Sequence, residues 1–317
     1  MTTLGQTSLE VSPIGLGLAA LGRPGYINVG HAADVQGHTD LASMRARAHE
    51  VLDVGYAGRI RYFDAARSYG RAEEFLGTWL TERGLGPPEV TVGSKWGYTY
   101  TAGWRVDVDV HEVKELSIDM LRRQEAETRS FLGGALRLYQ IHSATVDSGV
   151  LEDAAVLDEL ARLRAGGLCI GLSVTGPRQG DTIRRAIETG GFDTVQATWN
   201  VLEPSAGPAL AAAHDAGLGV IIKEAVANGR LTDRGNARAL LDLATERGVA
   251  ADALALACVL AQPWVDVVLS GASTPEMLTS NLGALDVNAD EDVLARLAGL
   301  AEEPAAYWET RSQLPWN

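Results

Sequence analysis

Four ionisable residues stand where short apolar runs end: Asp64 in Tyr62-Phe-Asp-Ala-Ala, Tyr69 in Ser68-Tyr-Gly, Lys95 in Gly93-Ser-Lys-Trp and His142 in Gln140-Ile-His-Ser. As a set they could move a proton at a carbonyl or alcohol oxygen. A phenol is a feeble acid at neutral pH, and a lysine cation beside Tyr69 would favour the phenolate. Asp64 could hold that ammonium in place, and a ring N–H of His142 could orient the substrate oxygen and stabilise charge developing on it. Taken singly, each has an ordinary structural explanation: a helix cap, a core aromatic, a solvated strand end, a hydrogen-bonded core imidazole. Their joint placement on three consecutive strand ends favours chemistry.

The elements that must position them follow from periodicity. Runs at 13–18, 60–65, 90–95, 136–142, 168–174, 194–198, 219–223 and 265–270 read as strands. Stretches of helical period lie around 43–55, 72–83, 110–132, 151–165, 179–189, 205–216, 236–261 and 275–285. Eight βα units predict an α/β fold, a (β/α)8 TIM barrel, with active residues at the C-terminal ends of the strands. Gly15-Leu-Gly-Leu-Ala-Ala-Leu does not satisfy a dinucleotide-binding glycine fingerprint. Thr3 to Val11 predicts an N-terminal β-hairpin plugging the barrel bottom. The aromatic C-terminal tail, with Tyr307, Trp308 and Trp316, is expected to pack on the barrel or line its mouth. No linker composition interrupts the chain, so residues 1–317 are read as one domain.

Composition sets limits on partners. The 317 residues carry 27 Lys and Arg against 41 Asp and Glu, a net charge of −14 that would repel nucleic acid and anionic membrane. An anionic cofactor would need a local cationic pocket. No run is long enough to span a bilayer and the start lacks the features of a signal peptide, so a cytoplasmic location is expected. Cys169 and Cys258 sit in apolar segments and predict neither a disulfide framework nor a thiol metal site.

With these residues in view, the chain resembles the aldo-keto reductase superfamily. Leu4-Gly through Gly17 is similar to that family's opening. Phe63-Asp-Ala-Ala with Tyr69-Gly and Glu73 resembles its second-strand motif, Ser94-Lys95 its third, Tyr139-Gln-Ile-His142 its fourth, and Ser270-Gly-Ala-Ser with Pro275, Glu276 and Asn281 its eighth. The resemblance implies a catalytic tetrad of Asp64, Tyr69, Lys95 and His142, with Tyr69 as general acid in reduction and general base in oxidation. It further implies a nicotinamide cofactor across the barrel mouth, held by Gly17, Ser173, Gln196, Ser270, Gly271, Ser273 and Asn281. Three positions depart from the pattern. Val174 follows Ser173 where Asn is common. Ser273 stands where a cation often reads the 2′-phosphate, with Met277 and Ser280 beyond it. Lys223 ends strand seven where an aromatic ring often stacks on the nicotinamide. NADP(H) rather than NAD(H) is expected, with Lys223 turned toward the cofactor pyrophosphate and no metal.

Trp96 and Trp199, near the ends of strands three and six, are read as substrate-lining residues. The substrate expected is a small carbonyl or alcohol, reduced from aldehyde or ketone or oxidised as a sugar-like alcohol. Two other classes stay open: a non-catalytic, cofactor-sensing barrel, and a lyase using Lys95 as a Schiff-base nucleophile.

Overall fold

A computed structural model describes residues 1–317. The chain opens with β1 (Thr2–Thr3) and β2 (Glu10–Val11), then β3 (Ile14–Gly17), α1 (His31–Val35), α2 (Leu41–Ala57), β4 (Tyr62–Asp64), α3 (Ala72–Arg83) and β5 (Thr91–Trp96). A hairpin of β6 (Tyr98–Tyr100) and β7 (Glu112–Lys114) follows, then α4 (Ile118–Leu132), β8 (Leu136–Ala144), α5 (Ala154–Ala165), β9 (Cys169–Val174), α6 (Gln179–Thr189) and β10 (Thr194–Thr198). The remainder is α7 (Gly207–Asp215), β11 (Gly219–Lys223), α8 (Arg238–Arg247), α9 (Ala251–Leu260), β12 (Val267–Ser270), α10 (Pro275–Leu282), α11 (Glu291–Leu297) and α12 (Pro304–Ser312).

Strands β3, β4, β5, β8, β9, β10, β11 and β12 close in that order into a parallel barrel, the (β/α)8 architecture that the eight runs predict. Two of the expected helices are shorter than their periodic stretches. The stretch 110–132 begins as β7, paired antiparallel to β6, and turns helical only at Ser117, whose hydroxyl caps Met120 N. The stretch 236–261 is two helices, because Gly248 takes a left-handed φ of 66° and ends α8.

Side-chain alternation along each strand makes two cores. Outward residues meet the helices in the larger one, where Phe63 packs on Trp79. Inward residues Tyr62, Leu138, Ile221, Val267 and Leu269 form the smaller one, inside the barrel floor. The N-terminal hairpin seals that floor as expected: β1 pairs antiparallel with β2, and Leu4, Leu9 and Val11 join the inner core. Burying each of the three stabilises by roughly 1.5–3 kcal/mol. Gly5 permits the fit, since at φ 53° a Cβ there would stand 2.3 Å from Gly219 N. No helix is long and apolar enough to cross a membrane.

Candidate active site

Above that apolar floor the barrel interior turns polar. Asp64, at the end of β4, is 1% exposed. Its Oδ1 accepts from Tyr62 Oη at 3.0 Å, Gln196 Nε2 at 3.2 Å and Gln140 Nε2 at 3.3 Å. Its Oδ2 accepts from Lys95 Nζ, which donates also to Ala65 O at 2.9 Å and reaches Tyr69 Oη at 3.3 Å. The buried pair is therefore fully hydrogen-bonded, the condition under which such a pair is tolerable.

Tyr69 arrives on the turn after β4. Gly70 sits at φ 61° against Gly22, and a Cβ on Gly22 would lie 2.1 Å from Tyr69 O, so two glycines allow this backbone to back onto the β3 loop. Glu73, fully buried in α3, anchors the same turn: it pairs with Arg67 at 2.6 Å and accepts from Ser94 Oγ at 2.5 Å and Thr128 Oγ1 at 2.8 Å. His142 is delivered by an irregularity, since the β8–β9 register shifts between Ile141 and Ala144 and Ser143 adopts φ 55°. Its ring stands edge-on to Tyr69 at 5.5 Å and to Tyr98 at 5.0 Å, with Nδ1 3.5 Å from Ser68 Oγ.

Electrostatics assign protonation states. Burial, with Lys95, Lys223, Arg23 and Lys114 nearby, drives the His142 pKa well below its ordinary value and keeps the ring neutral. Tyr69 is held protonated: burial first, then the charge of Asp64, push its phenol well above the usual range, while Arg23 opposes them. The expected lowering of this phenol's pKa by the lysine cation is outweighed by burial and the charge of Asp64.

A groove of about 790 Å³ opens over the tetrad and runs toward α9 and α10. Asp64, Tyr69, His142, Gly17, Gln196, Lys223, Ser270, Gly271 and Asn281 line it. Lys95 lies just beneath, its ammonium spent on the contacts above. Four further expected residues do not line the groove. Ser173 accepts the backbone N–H of Ser143 at 2.8 Å, and it is Ser143 that faces the groove. Ser273 is buried with its hydroxyl on Asp34 at 3.2 Å. Trp96 belongs to the helix-facing core, and Trp199 packs edge-on against Trp264 at 5.6 Å.

Other residues take the walls that Trp96 and Trp199 were expected to supply. Arg23 donates to Ser68 O at 3.0 Å and pairs with Glu112 at 2.9 Å, beneath the rings of Tyr26, Tyr69 and Trp316. Trp316 stacks on His111 at 3.9 Å, and Asn317 pairs backbone to backbone with Tyr26, so the aromatic tail does reach the mouth. Glu224 binds Arg311 at 2.6 Å; burial raises its pKa, but Arg311 and Lys223 outweigh it and hold it at about 2. Lys223 is left with one hydrogen bond, to Thr198 Oγ1 at 3.2 Å, and stands 4.0 Å from Glu224. Burial lowers its pKa to about 8 despite that carboxylate. Of the residues new to these walls, only Trp316 and Lys223 had a visible sequence signal.

The donor set suits an elongated, partly anionic cofactor. Arg23 Nε and Asn228 Oδ1 are buried without partners, and both residues line the groove. A Cβ at Gly271 would meet nothing within 4 Å, so the backbone between β12 and α10 is open to a ligand. No group of His, Cys, Asp or Glu is arranged to hold a metal ion.

Comparisons with known proteins bear on family and fold. Residues 13–302 match the model of the Aldo/keto reductase family. The chain is 26% identical to the uncharacterized oxidoreductase YrpG of Bacillus subtilis (strain 168), over 96% of this chain and 98% of that one. It is 31% identical to pyridoxal 4-dehydrogenase of Microbacterium luteolum over 41% of this chain and 39% of that protein. Among solved structures, an aldo-keto reductase from Bacillus halodurans in its holo form superposes with a TM-score of 0.73 at 21% identity, covering 95% of this chain and 96% of that one, a likeness of fold.

Proposed function

Because the chain belongs to the aldo/keto reductase family, we propose that residues 1–317 act as one barrel domain that interconverts a small polar carbonyl compound and its alcohol with a nicotinamide dinucleotide. The observation that carries this reading is Lys95 Nζ set between Asp64 and Tyr69 Oη, next to a neutral His142, on the floor of an open groove.

When bound, the nicotinamide would supply or accept the hydride, and the dinucleotide would lie along Gly17, Gln196, Ser270, Gly271 and Asn281, with the unpartnered Oδ1 of Asn228 beside it. In the reductive direction Tyr69 Oη gives its proton to the substrate oxygen, and in the oxidative direction it takes the proton back. Lys95, in reach of that oxygen, stabilises the phenolate left behind, and Asp64 holds the ammonium in place. His142 Nδ1 stands 3.5 Å from Ser68 Oγ, and in the tautomer protonated on Nε2 the ring presents an N–H to orient the substrate oxygen.

The walls bear on substrate class. Arg23, Glu112, Lys223, Glu224 and Arg311 give the tetrad end a polar lining with aromatic faces from Tyr26, Tyr98 and Trp316. That lining favours a hydroxylated or acidic small molecule, sugar-like or aromatic, over a plain alkyl aldehyde. The likeness to a pyridoxal 4-dehydrogenase supports the oxidative direction on such a compound. The lyase alternative loses support because Lys95 is buried and committed to Asp64. The expected NADP(H) preference loses its support as well, since Ser273 faces Asp34.

A panel of polar aldehydes and alcohols, assayed with NADH, NADPH and their oxidised forms by absorbance of the reduced nicotinamide, tests the reading. Turnover with a hydroxylated aldehyde or its alcohol is the expected result. Tight dinucleotide binding without turnover on any member would favour the cofactor-sensing alternative.

A further inference from the structure

We propose that the end of the groove remote from the tetrad selects NAD(H) against NADP(H), by surrounding the adenosine ribose with carboxylates. The proposal rests on the nicotinamide reading and concerns residues that reading leaves without a role.

The lining at that end includes Asp233, Asp252 and Glu276, and its one cationic side chain is Arg234. Arg234 is already used. Its two terminal nitrogens fork onto Asp34, NH2 to Oδ1 at 2.6 Å and NH1 to Oδ2 at 2.9 Å, and NH1 also reaches Val29 O at 3.3 Å. A fork of this kind is the arrangement in which a guanidinium would grip a phosphate, so a carboxylate of the chain occupies the place of the ligand. Asp34 then accepts the Ser273 hydroxyl as well, which removes that donor from the groove.

The neutral donors are committed in the same manner. Asp252 Oδ1 accepts from Ser280 Oγ at 2.9 Å, and Oδ2 accepts from Asn281 Nδ2 at 2.6 Å. At the start of α10, Glu276 stands in the first turn and offsets the positive helix end that would otherwise attract an anion. A 2′-phosphate carrying between one and two negative charges would therefore meet Asp233, Asp252 and Glu276 with no uncommitted cation in reach. A ribose hydroxyl is a donor as well as an acceptor, and a carboxylate is the acceptor it needs. The same walls that repel one cofactor can hydrogen-bond the other.

Direct binding tests this without turnover. Dissociation constants for NADH and NADPH are measured by calorimetry at low and high ionic strength, on the wild type and on the double variant Asp233→Asn/Glu276→Gln. Both positions are exposed, and circular dichroism checks that the variant is folded. The wild type should bind NADH at least ~10-fold more tightly at low salt, with the gap narrowing as salt screens the repulsion. The double variant should tighten NADPH by about 5-fold or more and weaken NADH, because two carboxylate acceptors for the ribose hydroxyls lose their charge. NADPH binding as tightly as NADH in the wild type, or no gain for NADPH in the variant, overturns the proposal. If neither dinucleotide binds, the nicotinamide reading itself fails and the preference falls with it.

Discussion

One groove has two ends of opposite character. Over the tetrad, every carboxylate has a cation at hydrogen-bond distance: Asp64 has Lys95, Glu112 has Arg23 and Glu224 has Arg311, and Lys223 remains as a cation with one hydroxyl contact. At the far end the one guanidinium is consumed by Asp34, and Asp233 and Glu276 remain as carboxylates. In a chain of net charge −14 the far end follows the average and the tetrad end departs from it. The side chains of Asp64, Lys95, Arg23 and Glu224 at the tetrad end are also buried, where each interaction is worth several times its value at the surface. The difference teaches that this protein concentrates its electrostatic strain where protons must move and leaves the binding end near its default charge.

The contrast can be broken most forcefully at Lys95. Lys95→Met should abolish at least ~100-fold of turnover. It should also destabilise the fold by about 3–5 kcal/mol, because Asp64 would be left buried with its charge unpaired. Adding Asp64→Asn should restore most of the stability in urea titrations and none of the activity, separating the structural cost from the chemical one.

Lys223 offers the next test, and here the sign is informative. Its folded-state pKa, about 8, lies below the ordinary 10.5, so burying the charged form is a cost that is fully present below pH 8. Between about pH 8 and 10.5 the unfolded chain holds the extra proton and stability rises with pH. Lys223→Met should therefore be more stable than wild type at pH 7, by about 1–3 kcal/mol, with the advantage shrinking above pH 8. The same variant should raise KM for an acidic substrate. Equal stability at pH 7 would contradict a net cost of burying the ammonium beside Glu224.

Ser273→Ala should have the smallest effect. Its hydroxyl faces Asp34 and stands off the groove, so affinity for NADH should move less than 2-fold in fluorescence titrations. A loss of 10-fold or more would put Ser273 back among the cofactor contacts.

These residues also show what was legible in the chain. The barrel was, because buried parallel strands read as β-branched runs and each is followed by a helical period. The tetrad was, because barrel chemistry belongs to strand ends, which narrows the search to a few positions. Trp96 was misplaced although it adjoins Lys95, for a reason of strand geometry: neighbours on a strand face opposite ways, so an inward Lys95 turns Trp96 to the helices. Ser273 depends on Asp34 in α1, a contact across the fold that no local pattern announces. Arg23 and Arg311 lie outside the barrel strands, Arg23 in a loop and Arg311 at the end of α12, and reach the groove only through tertiary packing. The break at Gly248 was hidden by helical periodicity that continues across it.

The central claim is that this groove transfers a hydride with Tyr69 as the proton donor. The most direct measurement is single-turnover transfer of deuterium from C4-deuterated NADH to a polar aldehyde, run in parallel on wild type and Tyr69→Phe, with NADH affinity measured on both. The account predicts deuterium on the product carbinol carbon in the wild type. For Tyr69→Phe it predicts an unchanged NADH dissociation constant and transfer slowed by at least ~100-fold. Transfer by Tyr69→Phe at the wild-type rate, or absence of the label from the product, would contradict it.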